Sequence, residues 1–286
     1  MEPYGRLIEI FGKQMCVKVE GNSEKVVVLL HGGGIVSPVL ELKPLAVLLK
    51  DDFTVVTIEC FGYGFSDKTD IDRSIENITS EIHEALQALG FARYYLMAHS
   101  IAGVYSLYYV NKYPDEVEGF AGIDISVPRQ NEYFNTQKAN IIIAHVLKFL
   151  ASVGVMWLIF KLSPKRLVKE VRGYDRSKED IETFRKLYFR NISNSTVINE
   201  LKNSTENFSK ARGMKFPESM PVLMFLASDS CKQIKQWHDL HSEIVENKEN
   251  SSIVTFEGSH FLYRQYSREI VEVFKDLAMG NRKRSE

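Results

Sequence analysis

Six times along the chain a short, continuously apolar and largely β-branched run stops at a polar or glycine-rich motif. Lys25–Leu30 ends in His31-Gly32-Gly33-Gly34, Thr54–Ile58 leads to Phe61-Gly62-Tyr63-Gly64-Phe65-Ser66-Asp67, and Arg93–Ala98 leads to His99-Ser100. Val117–Ile123 stops at Asp124, Pro221–Leu226 leads to Asp229, and Ser252–Phe256 leads to Gly258-Ser259-His260. Runs without polar alternation are what strands covered on both faces require. Runs alternating with helical periodicity imply a doubly wound, mostly parallel sheet with helices on both sides, an α/β class of fold. In such sheets the chemistry lies outside the carboxyl ends of the strands, and here each of those ends carries a reactive or glycine-rich motif.

The spaces between runs fit this scheme. Residues 4–11 and 14–20 read as a leading antiparallel pair. In 74–89, Ile75, Ile78, Ile82, Leu86 and Leu89 recur at spacings of three and four, an amphipathic helix with Ser74 as its cap. Helices are also expected from the serine turn to Tyr113, stopped by Pro114, around 234–246, and over 267–278. Residues 128–216 break the alternation: helical in pattern, rich in Lys and Asn, too long for a loop. The expected organisation is a core of 1–127 and 217–286 with 128–216 inserted as a helical cap over the strand ends. Within the insertion, Ile141–Leu162 is apolar enough to suggest a membrane span, but it contains His145, Lys148 and Gly154. A buried or pocket-lining helix pair is the preferred reading. A lipid-touching surface stays open between the two.

Composition excludes less. Lys plus Arg (36) nearly cancel Asp plus Glu (37), so charge gives no sign of a nucleic-acid partner. The tail 281–284 is locally basic and reads as a frayed terminus. Cys16, Cys60 and Cys231 are scattered and lack metal-type spacing, and no basic-then-apolar leader opens the sequence, so a reducing, cytoplasmic setting is expected.

The turn Ala98-His99-Ser100-Ile101-Ala102-Gly103 joins a strand to a helix with small residues around one serine. It has two readings: an ordinary loop with Ser100 as N-cap, or a strained elbow presenting Ser100 as a nucleophile, crowded enough to demand small neighbours. Ala98 and Ala102 stand where the G-x-S-x-G pattern has glycine. A serine hydroxyl needs a base, and His260, at a strand's carboxyl end and later in the chain than Ser100, is the candidate. The imidazole needs an acid. Asp229, 31 residues ahead of His260, is preferred, with Asp124 as the alternative. An oxyanion needs preset backbone donors, and the amides of Gly33 and Ile101 suit that role. The glycine run His31–Gly34 has no following Gly-Lys-Ser/Thr, which argues against a phosphate loop. His238 and His241 are three apart on a helix but lack a third metal ligand nearby. His99 reads as a packing residue at the elbow, His31 as the anchor of its own loop, and Trp157 and 105–113 as core.

Taken together, HGGG, GYGFSD, AHSIAG, the Asp229 turn and GSH resemble the α/β-hydrolase fold family, serine-hydrolase branch with a helical cap, in the family's order of nucleophile, acid and histidine. The resemblance spans nearly all of 4–278 outside the insertion. It implies Ser100 as nucleophile, His260 as base, Asp229 or Asp124 as acid, Gly33 and Ile101 as oxyanion donors, and Asp67 as a structural residue. The activity expected is hydrolysis of an ester through an acyl-enzyme, carboxylesterase-like, on a small molecule with an apolar acyl group and without cofactor or metal. The same residues would serve a C–C bond hydrolase, an aminopeptidase or an acyltransferase, and the fold also serves non-catalytic binding proteins. Epoxide hydrolase and dehalogenase chemistry is disfavoured, because the elbow carries serine rather than a carboxylate.

Overall fold

The computed structural model describes residues 2–162 and 169–280. The basic tail at 281–284 lies outside them.

An eight-stranded sheet runs in the order β1-β2-β4-β3-β5-β6-β7-β8. The strands are β1 (Arg6–Ile10), β2 (Lys13–Glu20), β3 (Val26–Leu30), β4 (Thr54–Glu59), β5 (Tyr94–His99), β6 (Val117–Ile123), β7 (Val222–Ala227) and β8 (Ser251–Phe256). β1, β2 and β4 pair antiparallel, and every later pairing is parallel. The apolar runs behave as their composition requires: β3, β4, β5 and β7 are buried along their whole length.

Alternate residues of these strands feed two separate cores. Val26, Val28 and Leu30 of β3 pack with Leu96, Met224 and the apolar faces of α2 (Ile75–Ala88) and α3 (Ala102–Lys112). Val27 and Leu29 point the other way, with Met97, Phe225 and the inner faces of α1 (Pro38–Leu49) and α10 (Tyr263–Ala278). Ser74 caps α2 through its hydroxyl, which accepts from the Asn77 amide, so the expected start of that helix is found. Helix α1 was not anticipated from periodicity. It is apolar nearly all round and carries Pro44 inside it, so no amphipathic stripe announces it.

Between β6 and β7 the described residues form α4 (Gln137–Ser152), α5 (Val155–Leu162), α6 (Lys178–Asn191) and α7 (Ser195–Lys210). After β7 come the short α8 (Ser228–Gln233) and α9 (Trp237–Glu243). No single helix among the described residues is long and apolar enough to cross a membrane. α4 and α5 meet at 80°, with Gly154 at φ +79° in the break. Their inner side is held by Ala144, Met156 and Phe160, while most of their apolar residues face outward, Trp157 among them. The expectation that Trp157 is core is therefore corrected.

The sheet order places the topological reversal between β3, which leads on one side to β4, and β5, which leads on the other to β6. The loops leaving β3 and β5 consequently flank a crevice at the carboxyl ends. Those loops are the glycine run and the serine turn.

Candidate active site

Ser100 sits at φ +58°, in the left-handed region that a residue with a Cβ avoids. It does not cap the following helix: α3 has Ile101 at its N-cap position and no side-chain capping bond. The N-cap reading is thus set aside in favour of a strained elbow. Close packing explains the small neighbours. Ala98 and Ala102 are buried, and a Cβ on Gly103 would lie 2.3 Å from Cβ of Ile125. The two alanines fit where the usual pattern has glycine; Gly103 has no such freedom.

The glycine run packs directly against this elbow. A Cβ on Gly32 would lie 2.8 Å from Nδ1 of His99 and 2.9 Å from Cβ of Ser100. Gly33 is next to Ile101, whose Cγ2 would be 3.6 Å from an added Cβ. Gly33, Ser100, Ile101 and His260 all line one cavity of about 480 Å³. His31 anchors its own loop, as its sequence context suggested: its Nδ1 bonds the Gly32 carbonyl at 2.9 Å and its ring packs on Tyr63.

The two candidate acids separate cleanly. His260 Nδ1 lies 2.7 Å from Oδ2 of Asp124, whose side chain is fully buried. Asp229 is half-exposed and pairs with Lys232 instead, on the first turn of α8. The preference for Asp229 is corrected, and the physical reason is local. The chain turns into α8 straight after β7, which sends the Asp229 side chain outward. Asp124 is bent inward at the end of β6 by a left-handed backbone, φ +42°, which aspartate tolerates better than most residues. Its carboxylate collects every donor around it. Oδ1 accepts from the Ala227 amide at 2.9 Å and Trp237 Nε1 at 3.0 Å, and Oδ2 accepts from Ser230 Oγ at 2.6 Å as well as from His260. Burial alone would raise the Asp124 pKa, but these bonds and the nearby imidazole outweigh it and hold the group below its usual range. Asp124 is therefore ionised at neutral pH, and it fixes the His260 proton on Nδ1.

His99 does more than pack. Its ring lies 4.6 Å from that of His260, and its Nε2 is 3.2 Å from the His260 carbonyl, to which it donates. Burial, then the neighbouring His260, push the His99 pKa well below the normal imidazole range, so the His99 ring is neutral beside His260. Asp67 anchors its loop through Oδ2, which accepts from the Gln14 amide.

Several pocket residues lay outside sequence reasoning. Glu200 of α7 is buried at the cavity wall, where its two oxygens accept from Tyr63 at 2.6 Å and Tyr105 at 2.9 Å. Only the folded contact between α7 and the core could reveal it, because its own helix surroundings look like a solvated face. Gln130, Asn131, Gln137, Asn140 and Ser204 add further polar groups, so the main cavity is of mixed character. Beside it, sharing Gly33, Gly34, Asn140, Val197 and Leu201, a second cavity of about 310 Å³ is lined by Ile35, Val36, Ile143, Leu147 and Ile192 together with the polar Tyr188, Asn191 and Ser193. His241, half of the weighed metal pair, is buried with both ring nitrogens against the Trp237 and Ile125 carbonyls.

The sheet order, the elbow between β5 and α3 and the histidine loop before α10 define a protein with the α/β-hydrolase fold. A family model described as alpha/beta hydrolase fold matches residues 25–152. The chain is 26% identical to YbdG, an uncharacterized protein of Bacillus subtilis (strain 168), over 91% of this chain and 81% of that one. It is also 26% identical to the 2-(acetamidomethylene)succinate hydrolase of Mesorhizobium japonicum, over 43% of each. Among solved structures, epoxide hydrolase VrEH1 from Vigna radiata superposes with a TM-score of 0.74 at 18% identity, covering 96% of this chain and 97% of that one.

Proposed function

We propose that this chain is a serine hydrolase that cleaves a small-molecule ester through an acyl-enzyme on Ser100. The observation that carries the reading is the strained Ser100 sharing one cavity with an imidazole whose Nδ1 bonds a buried, ionised carboxylate. In this reading His260 Nε2 takes the Ser100 proton as Oγ attacks the ester carbonyl. In the same reading the amides of Gly33 and Ile101, which line the cavity with Ser100, meet the oxyanion. Collapse expels the alcohol, which receives its proton from His260; water activated by the same nitrogen then releases the acid. Asp124 holds the tautomer and stabilises the imidazolium. The helices of the insertion act as a cap, since α4 and α7 contribute residues to both cavities.

The cavities suggest how a substrate would divide. Both cavities have walls of mixed character; Ile35, Val36, Ile143 and Leu147 of the side chamber suit an acyl chain, and Glu200 with its two tyrosines in the main cavity suits a more polar alcohol portion. Because the partial match is to a hydrolase named for an acetamido substrate, amides belong in the same screen as esters. The neighbouring epoxide hydrolases share the fold, but Ser100 at the elbow supports acyl transfer here.

The test is hydrolysis of p-nitrophenyl esters of short acids together with labelling by a fluorophosphonate probe. The wild-type chain turns over the esters and is labelled at Ser100; Ser100→Ala loses both. Undiminished turnover in Ser100→Ala refutes the reading.

A further inference from the structure

Among the described residues, nothing covers the outward side of α4 and α5, which is an apolar surface. Ile142, Val146 and Phe149 on α4 and Val153 at its C-cap recur at spacings of four, three and four, and Phe149 is 63% exposed. Trp157, Leu158 and Leu162 continue the surface on α5, with Leu162 74% exposed. Isolated exposed apolar residues need no explanation, but a contiguous set on two helices does. The 80° bend means the pair cannot span a bilayer as one rod; it can lie flat on one.

Charge identifies what covers this surface. Between Glu132 and Glu170 the sequence contains no acidic residue, while Lys138, Lys148 and Lys161 are exposed on the two helices. Lys161 holds its ammonium 4.8 Å from the Trp157 ring, an aromatic and cationic pairing suited to the headgroup layer. A protein partner needs no such uniform sign; an anionic lipid surface does. The surface also adjoins the site. Ile143 is 53% exposed on α4 and also lines the side chamber, so the outer face and the chamber share that residue.

We propose that the outward face of α4 and α5 docks on an anionic membrane surface, with Phe149, Trp157 and Leu158 entering the interfacial layer and Lys148 and Lys161 among the headgroups. Docking does not depend on the proposed chemistry at Ser100, and only the delivery of an acyl chain past Ile143 rests on that reading.

The experiment is co-sedimentation of the full chain with vesicles of equimolar phosphatidylcholine and phosphatidylglycerol, against phosphatidylcholine alone. Tryptophan emission is read in parallel. Of the two tryptophans, Trp237 is buried, so a blue shift on adding vesicles reports Trp157. The wild type and Ser100→Ala bind the anionic vesicles equally and shift to the blue. Phe149→Ser with Leu158→Ser binds at least about tenfold more weakly, with an unchanged circular dichroism spectrum and unchanged hydrolysis of water-soluble esters. Lys148→Gln with Lys161→Gln weakens binding to the anionic vesicles roughly 25-fold, about fivefold per lysine, and keeps the helical content. Failure of the wild type to sediment with either vesicle overturns the proposal. So does equal binding by the Phe149/Leu158 variant, indifference to the lysines, or a concentration-dependent dimer that this variant abolishes in place of vesicle binding.

Discussion

Replacing Asp124 by asparagine changes one atom and one charge, and the surroundings dictate how the new amide must sit. Its nitrogen cannot take the place of Oδ1, because that position faces two fixed donors, the Ala227 amide at 2.9 Å and Trp237 Nε1 at 3.0 Å. It must take the place of Oδ2, where the Ser230 hydroxyl can rotate to accept from it. There it presents N–H to His260 Nδ1, across a gap that is 2.7 Å in the parent chain. Nδ1 must then accept, the ring proton moves to Nε2, and the nitrogen proposed above as the base for Ser100 is occupied. Loss of the correct tautomer in a Ser-His-Asp triad costs about 10⁴-fold in kcat, or ~5.5 kcal/mol of barrier at ~1.36 kcal/mol per decade. The side chain keeps its volume and all four partners, two of them with donor and acceptor exchanged, so the variant should remain folded, with stability lowered by ~1–3 kcal/mol. Asp229→Asn supplies the contrast: it removes an exposed pair with Lys232 and should leave kcat/KM within about twofold. The assay is kcat/KM on a short p-nitrophenyl ester, with circular dichroism as the control for folding. An Asp124→Asn chain that stays folded and retains more than about a tenth of wild-type kcat/KM, or an Asp229→Asn chain that loses more than the Asp124 variant, would refute the reasoning.

Three other outcomes follow from the same geometry. Trp237→Phe removes one of the four donors to Asp124 without touching His260, so kcat should fall roughly tenfold in the same ester assay, a loss near the size of one charge-assisted bond. Gly103→Ala forces a methyl against Ile125 and should cost ~1–3 kcal/mol in urea unfolding, part of it recovered by Ile125→Ala in the same chain. His241 is buried and its pKa is lowered by desolvation to about 4, below its unfolded value near 6.5. Because the folded value is the lower one, the neutral ring contributes stability that is complete above about pH 6.5 and is lost as pH falls toward 4, an effect of roughly 3 kcal/mol. His241→Gln should flatten the stability curve across that window, read as unfolding midpoints at a series of pH values.

Much of the scaffold is written in local pattern. A strand covered on both sides must be apolar at every position, so Val26–Leu30 and Tyr94–His99 could be read directly, as could the stripe of Ile75, Ile78 and Ile82. The elbow was legible because steric crowding restricts the choice of neighbours, and Ala98, Ala102 and Gly103 record that restriction. The partner of His260 was not legible. Asp124 and Asp229 both follow strands, and what separates them is the sign of one φ angle and the immediate start of α8. Neither leaves a mark in residue type. Glu200 was hidden for another reason: its burial depends on how α7 lies over Tyr63 and Tyr105, a tertiary fact with no short-range signature. Trp157 was misplaced because an aromatic in an apolar run usually means interior, whereas α5 turns it outward.

His99 has a mechanical consequence. Wedged with one nitrogen against Gly32 and the other on the His260 carbonyl, it acts as a strut between the loop that would receive negative charge and the loop that would shuttle protons. Those two segments are more than two hundred residues apart in the chain, yet they cannot drift independently while the strut is in place. A displacement of Gly32 toward His99 would therefore press directly on the loop that carries His260, without passing through the sheet.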